Sequence, residues 1–364
     1  MTQRVRRIDQ VLPSLASRDA IGGHVMRLRG LLRERGFESE IYFGNSTPDR
    51  AEDGRPITAL GEHGPAGRVL LYHLSIGSGV ADVFRDRPER KFVNYHNITP
   101  ADLLEPWIPH VGEEVRWGRA QLRHLAAVTE FAVADSRFNQ GELDDAGYTA
   151  TTAVPLLVDL GSFAGTPDPA RSAELARQRR GGGTDLLFVG KFAPHKAQHD
   201  LVKALAAYRR LYDPQARLQL VGSPVGDNYQ SAVLRFAADL GLADAVHVAG
   251  SVTHGELVAH YAHADVFLCL SDHEGFCVPL IEAMSHRLPI VAYGTTAVPE
   301  TVAGAGIVLP AKRPATVAAA IHRVVSDERL RAALAEAAAD RVAELALERT
   351  SERFASTLED ACSA

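Results

Sequence analysis

Short, almost wholly apolar runs recur along this chain, and more polar segments of helical character fill the spaces between them. The runs 5–12, 40–43, 69–73, 91–95 and Phe131–Ala134 predict strands, while 23–35 and 113–127 predict helices, the first closed by Gly36 as a C-cap. The pattern resumes with strands at 185–190, 217–222, 246–249, 264–271 and 289–292. Strand alternating with helix predicts parallel sheets covered by helices on both faces.

The rhythm breaks once. Gly165-Thr166-Pro167-Asp168-Pro169, a charged stretch and Gly181-Gly182-Gly183 combine proline, glycine and charge without apolar periodicity, the composition of a linker. A chain of 364 residues also favours two cores over one. The expected division is an N-terminal domain over 1–165, a linker over 166–183 and a C-terminal domain over 184–349. Two doubly wound domains would bind ligands at the carboxyl ends of their strands, in a cleft that both sheets face. The tail from about 330 to 360 is rich in Ala, Glu and Arg and predicts helix.

Composition narrows the partners. The net charge is −6 and no long basic run occurs, which argues against nucleic acid. Cys269, Cys277 and Cys362 lack the spacing of a metal site or of a disulfide framework, which fits a reducing cytoplasm. The charged start, Arg4, Arg6 and Arg7, leads into an apolar run too short and too polar for a signal peptide. No stretch approaches the length that spans a bilayer, so the expectation is a cytoplasmic protein with at most peripheral membrane contact. Arg116, Arg119 and Arg123 share a helical face near Trp107 and Trp117. That face suits an anionic acceptor or an acidic membrane surface, or is simply solvated.

The chemistry concentrates in Asp272-His273-Glu274-Gly275-Phe276-Cys277-Val278-Pro279-Leu280-Ile281-Glu282-Ala283-Met284. Glu274 falls on a strand-to-helix loop, and Glu282, eight positions on, lies on the helix entered through Pro279. Free amides on such a loop and the partial positive charge of a helix start suit a phosphate-bearing ligand. Two carboxylates that accept hydroxyl hydrogen bonds beside it describe a nucleotide sugar. The run from Glu274 to Glu282, with its E-G-F-x-x-P-x-x-E-A-M surroundings, resembles the E-x7-E motif of retaining glycosyltransferases of the GT-B fold, most closely glycosyltransferase family 4. The resemblance implies that Glu274 binds hydroxyls of the donor sugar and Glu282 those of the ribose. It also implies a last helix, from about 350, that returns to complete the first domain.

Other segments gain roles from the same resemblance. Gly190-Lys191-Phe192-Ala193-Pro194-His195-Lys196 is similar to the family's G-R-x-x-x-x-K segment, whose two cations hold the donor diphosphate. Lys191 stands where arginine is commoner, which removes a bidentate fork. Gly22 and Gly23 are expected in the first strand–helix loop, where glycine lets backbone approach a diphosphate. His96, in Tyr95-His96-Asn97-Ile98-Thr99-Pro100, resembles the histidine that contacts the transferred sugar. Gly222 near the diphosphate, Val252 near the base, and Gly275, Phe276, Cys277 and Val278 complete the expected donor contacts. His73, Ser75, Ser78 and Asn97 are candidate acceptor-side residues, each equally readable as part of a polar turn.

The implied reaction moves a sugar from a nucleoside diphosphate sugar, with uridine favoured, to a hydroxyl acceptor that is a small molecule or a glycan. A front-face route keeps the anomeric configuration, the leaving phosphate taking the acceptor's proton. Lysines in place of a D-x-D triad imply that no metal or other cofactor is needed. A nucleotide-sugar epimerase, a glycosyl phosphorylase and a non-catalytic nucleotide-sugar binder are the alternatives. The absence of G-x-G-x-x-G weakens a dinucleotide oxidoreductase.

Overall fold

The computed structural model describes residues 5–17, 19–61, 64 and 67–364, so Arg4 lies outside the described residues. The chain divides into two compact units. The first takes residues up to Glu105, Pro109–Val158 and Leu345–Ala364; the second takes Pro106–Ile108 and Asp159–Glu344.

Among the described residues the N-terminal unit holds a seven-stranded sheet. Its strands are β1 (Arg7–Leu15), β2 (Ile41–Ser46), β3 (Arg55–Pro56), β4 (Arg68–Leu74), β5 (Arg90–Tyr95), β6 (Phe131–Ala134) and β7 (Thr151–Ala153). All pairings are parallel, in the order β3-β2-β1-β4-β5-β6-β7. The order reverses between β1 and β4, the switch point of a doubly wound sheet. Every residue of β4 is buried, as expected of a central parallel strand covered on both faces. On one face Ile8, Val69, Leu71, Phe92 and Val133 pack with Leu28 and Leu32 of the helix Ala20–Glu34 and with Phe354 and Leu358 of the helix Leu347–Ser363. Toward the carboxyl ends of these strands the same face turns polar while staying buried, at Gln10, His73 and Asn94, with Asp135 just beyond β6.

The C-terminal unit's sheet comprises β8 (Asp185–Val189), β9 (Arg217–Val221), β10 (Val246–Gly250), β11 (Val266–Cys269), β12 (Ile290–Tyr293) and β13 (Ile307–Leu309). It is parallel throughout, in the order β10-β9-β8-β11-β12-β13, with its switch point between β8 and β11. Leu186, Phe188, Leu218 and Leu268 build the core on one face. Leu187, Phe267, Ile290 and Ala292 build the other, against Leu280, Ala283 and Met284 of the helix Val278–Ser285.

The structure departs from the sequence-based expectations at four places. The first helix starts at Ala20, so Gly22 and Gly23 occupy its first turn rather than a loop before it. Gly22 is required there because a Cβ would come within 2.6 Å of the Ala16 carbonyl oxygen. The segment 166–183 is mostly helix, Pro169–Gln178, rather than a free linker. The Asp168 side chain caps it by accepting from the Arg171 amide at 2.7 Å, and Pro169 occupies its first turn. This helix packs against His254–His263 within the C-terminal unit. The tail is two helices, Glu328–Glu344 and Leu347–Ser363, rather than one; the N-terminal unit takes the second, as the resemblance implied, but from Leu345 rather than about 350. Finally, β3, β7 and β13 had no counterpart among the expected strands.

Candidate active site

In the C-terminal unit the candidate residues gather where β8 and β11 end, at the switch point. After β8 the chain turns at Gly190. Gly222, just past β9, sits at φ +139°, and a Cβ there would lie 2.0 Å from the Gly190 carbonyl oxygen, so only glycine fits. Lys191 follows, exposed. A short 3-10 turn, Pro194–Lys196, then leads through left-handed Ala197 (φ +52°) into the helix Gln198–Leu211. The Asp272 amide donates to the His195 carbonyl at 2.8 Å and ties the loop after β11 to this turn.

That tie brings Lys196 to Glu274: Nζ donates to Oε2 at 2.7 Å, with the carboxylate side chain 5% exposed and the lysine side chain 19%. Burial pulls the Lys196 ammonium down, but the Glu274 carboxylate outweighs it and holds the group above its usual value. The loop is fastened from behind. Thr296 Oγ1 accepts from the Glu274 amide at 2.9 Å and donates to the Glu274 carbonyl at 2.7 Å, and Thr301 Oγ1 donates to the Phe276 carbonyl at 2.6 Å. Lys312 bridges Asp200 and Asp272, at 2.6 Å to each. Cys277, at φ +69°, turns the chain into the helix Val278–Ser285. On that helix Glu282 accepts a 2.6 Å hydrogen bond from the Tyr261 hydroxyl. Burial raises the Glu282 carboxyl, with the Tyr261 hydrogen bond opposing.

The fold also brings together Cys269 and Cys277, eight positions apart in sequence. Their sulfurs and a Glu274 oxygen lie within 4.8 Å of one another. A cation there would compete with the Lys196 ammonium, which already neutralises Glu274. Tyr261, Thr296, Thr301 and Lys312 carry no local signal in the sequence, because they come from elsewhere in the chain: Tyr261 from the helix His254–His263, Thr296 from the loop after β12, Thr301 from the helix Val298–Val302 and Lys312 from the loop after β13.

In the N-terminal unit His96 follows β5 and is buried, its side chain 1% exposed. Its Nδ1 lies 2.8 Å from Asp135 Oδ2, and its Nε2 lies 2.8 Å from His73 Nδ1. His73, expected on the acceptor side, is fully buried and bonded to His96 and to Gln10. Ser78 caps the helix Gly79–Arg85 through the Val80 amide at 3.2 Å. Asn97, at φ +76°, donates to Asn139 and Glu142 at 2.9 and 2.8 Å. For His73 and Ser78, and for this bonding of Asn97, the structural reading is the one the contacts display. Ser75 is half-buried after β4, and Val252 half-buried after β10. Of the basic helical face, Arg116 pairs with Glu105 and Arg119 with Glu142.

His24, His73 and His96 offer nitrogens within 4.8 Å of one another. The set does not suit a metal. His24 Nδ1 accepts the Leu157 amide at 3.0 Å, which puts the ring proton on Nε2, the nitrogen a cation would need bare.

Comparison with known proteins defines the class first. The sucrose-phosphate synthase structure from Thermosynechococcus elongatus superposes with a TM-score of 0.76 at 18% identity, covering 98% of this chain and 99% of that one. Anabaena HepE in complex with UDP and glucose gives 0.70 at 17%, covering 97% and 99%. With its two parallel-sheet Rossmann-like units, the chain has the GT-B fold. Residues 174–341 match the family model described as Glycosyl transferases group 1. A GDP-mannose-dependent alpha-(1-6)-phosphatidylinositol monomannoside mannosyltransferase of Mycobacterium tuberculosis is 32% identical over 233 residues, 59% of each chain. A D-inositol 3-phosphate glycosyltransferase of Kineococcus radiotolerans is 33% identical over 265 residues, 67% of this chain and 58% of that one. The chain thus spans under two thirds of the length of these relatives. Among the described residues no helix is long and apolar enough to cross a membrane.

Proposed function

We propose that this protein is a glycosyltransferase of the family 4 type. It moves a sugar from a nucleoside diphosphate sugar to a hydroxyl of a small-molecule or glycan acceptor, with retention and without a metal. The observation that carries the reading is the Lys196–Glu274 pair at the β8/β11 switch point. A cation and a carboxylate are held side by side there, next to a loop that runs into a helix N-terminus. Lys191, Lys196 and the amides around Gly275 and Phe276 hold the diphosphate and stabilise the charge that develops as it leaves. Glu274 orients the sugar and Glu282 the ribose. The Gly22–Gly23 turn keeps its place in the proposal as a helix N-terminus rather than a loop, since first-turn amides lack partners within the helix. Most of the rate then comes from positioning, with the leaving phosphate taking the acceptor's proton.

Uridine is the favoured base, in keeping with the UDP bound in HepE, while the M. tuberculosis relative is by name GDP-mannose-dependent. Both curated relatives named above act on inositol phosphate compounds, so these are the first acceptors to try.

Calorimetry against UDP, GDP, ADP and their sugar conjugates, without added metal, tests the reading. One nucleotide series should bind, and Lys196→Ala should weaken it about 10-fold or more, the scale of a lost charge-assisted phosphate contact. With donor and acceptor found, Glu274→Ala should lower transfer by ~100-fold or more per folded molecule. The absence of binding by every nucleotide, or full transfer by Glu274→Ala, would overturn the site. Loss of transfer on adding EDTA would overturn the metal-free mechanism.

A further inference from the structure

The polar row that runs from Gln10 within β1 to the carboxyl ends of β4, β5 and β6 fixes its own protons. Gln10 Nε2 donates to the Val25 carbonyl at 3.0 Å, so its Oε1 faces His73 Nε2, 2.9 Å away, and can only accept. Turning the amide over would set oxygen against oxygen at Val25. His73 Nε2 therefore carries a proton. His73 is fully buried, and burial, followed by neighbouring His96 and His24, pushes it well below the usual histidine range, so the ring is neutral and its Nδ1 is bare. That bare nitrogen lies 2.8 Å from His96 Nε2, which must donate to it. The two rings are nearly coplanar, 5° apart with centroids 5.1 Å apart, the arrangement of rings meeting edge to edge through such a bond.

Both partners of His96 are then determined. Its Nε2–H points to His73, and its Nδ1 lies 2.8 Å from a carboxylate oxygen of Asp135. A bare Nδ1 against a carboxylate would set two acceptors face to face. One proton must lie between them, and a carboxylate is the weaker base of the two. Asp135 is held in turn by Asn94, whose Nδ2 donates to Oδ1 at 3.4 Å and to the Val133 carbonyl at 3.3 Å. His24 completes the row as a neutral ring. Its Nδ1 accepts the Leu157 amide, and its Nε2–H donates to Asn94 Oδ1 at 2.9 Å.

We propose that Asp135, His73 and Gln10 are positioning residues that hold His96 as a doubly protonated imidazolium. What His96 offers a ligand is a fixed positive charge, not a free ring nitrogen. Both N–H groups are engaged within the unit and the side chain is closed to solvent, so the ring is neither a general base nor a direct hydroxyl partner in the arrangement seen. The proton count stands independently of the transfer reading; that His96 acts in transfer rests on it.

Histidine-selective 15N labelling of the full chain, with long-range 1H–15N correlation near neutral pH, tests this without any activity assay. The His96 signals are those lost in His96→Asn. Two proton-bearing nitrogens on His96 and one bare nitrogen on His73 are expected. A bare nitrogen on His96 would overturn the proposal. In Asp135→Asn the carboxylate is gone and His96 should show one bare nitrogen; if it keeps both protons, Asp135 is not what holds it and the proposal fails. Should that variant not fold, the wild-type spectrum decides alone. Failure here would leave the nucleotide-binding result untouched, and the reverse also holds.

Discussion

Glu282, proposed to bind the ribose, occupies a place that costs the folded protein stability. Burial raises its carboxyl above the usual value of 4.5, so folding favours the protonated form. A raised folded-state value means that its contribution is fully present below the unfolded value and is lost as pH rises through the folded one. Ionising this buried carboxyl as pH rises therefore costs stability, only partly offset by the hydrogen bond from the Tyr261 hydroxyl. Glu282→Gln keeps an oxygen for Tyr261 and removes the charge. It should stabilise the ligand-free protein by about 1 kcal/mol at neutral pH, with the gain fading toward pH 4, while nucleotide affinity falls. Thermal melts across pH 4 to 8 decide it, and equal melting temperatures at neutral pH would count against it. Lys196 is the opposite case. Its raised value means that its contribution is present below the ordinary lysine value of 10.5 and is lost only as pH rises through the folded value. Removing Glu274 leaves that ammonium without its partner, so Glu274→Ala is expected to be less stable by roughly 3–5 kcal/mol, the range for a broken buried pair.

Among the elements, the helix Leu347–Ser363 tests how the N-terminal unit is closed. Thr350, Phe354, Ala355 and Leu358 make its buried stripe, and Phe354 and Leu358 fill the core face formed by Ile8, Val69, Leu71 and Phe92. Phe354→Ala should cost about 3–5 kcal/mol. It should speed amide exchange in β1, β4 and β5 while β8, β9 and β11 keep their protection. Unchanged exchange in β1 and β4 would show that the helix is not part of that core. The Ala/Glu/Arg-rich composition of the tail announced a helix but not its break at Leu345–Ala346; that the last helix belongs to the N-terminal unit was implied by the family resemblance alone. The central strands were legible because burial on both faces writes a continuous apolar run. By contrast β3, β7 and β13 have two or three residues each, too few for any period. The helix Pro169–Gln178 was hidden by its flanking prolines and glycines, although Asp168-Pro169 is itself a helix-start signal. The candidate site divides the same way. Glu274, Glu282, Lys191 and Lys196 lie in local patterns and could be read. Thr296 reaches Glu274, Tyr261 reaches Glu282, Lys312 reaches Asp272 and, in the other unit, Asp135 reaches His96 only through chain reversals of tens of residues, which no spacing records.

On the scale of the whole molecule, the cores are separate. The clusters around Leu70 and Val69 draw on the N-terminal unit, and those around Leu186 and Leu187 on the C-terminal one. The residues proposed to hold the nucleotide belong almost entirely to the second. A ligand stabilises only the folded state it binds, by RT ln(1 + [L]/Kd), which is ~2.7 kcal/mol at a hundredfold excess over Kd. Scanning calorimetry should therefore resolve two transitions, with the matching nucleoside diphosphate raising the one that belongs to the C-terminal unit. The variants assign the peaks: Phe354→Ala should lower the other transition and leave the nucleotide-sensitive one in place, while Lys196→Ala, binding about 10-fold more weakly, should cut the ligand shift to about half at the same concentration. A single transition that nucleotide and Phe354→Ala move together would mean that the units melt as one cooperative body. Stabilisation of the Phe354-sensitive transition alone would place the nucleotide in the N-terminal unit, and the donor assignment would then move from the Lys196–Glu274 pair to the Gly22–Gly23 helix start.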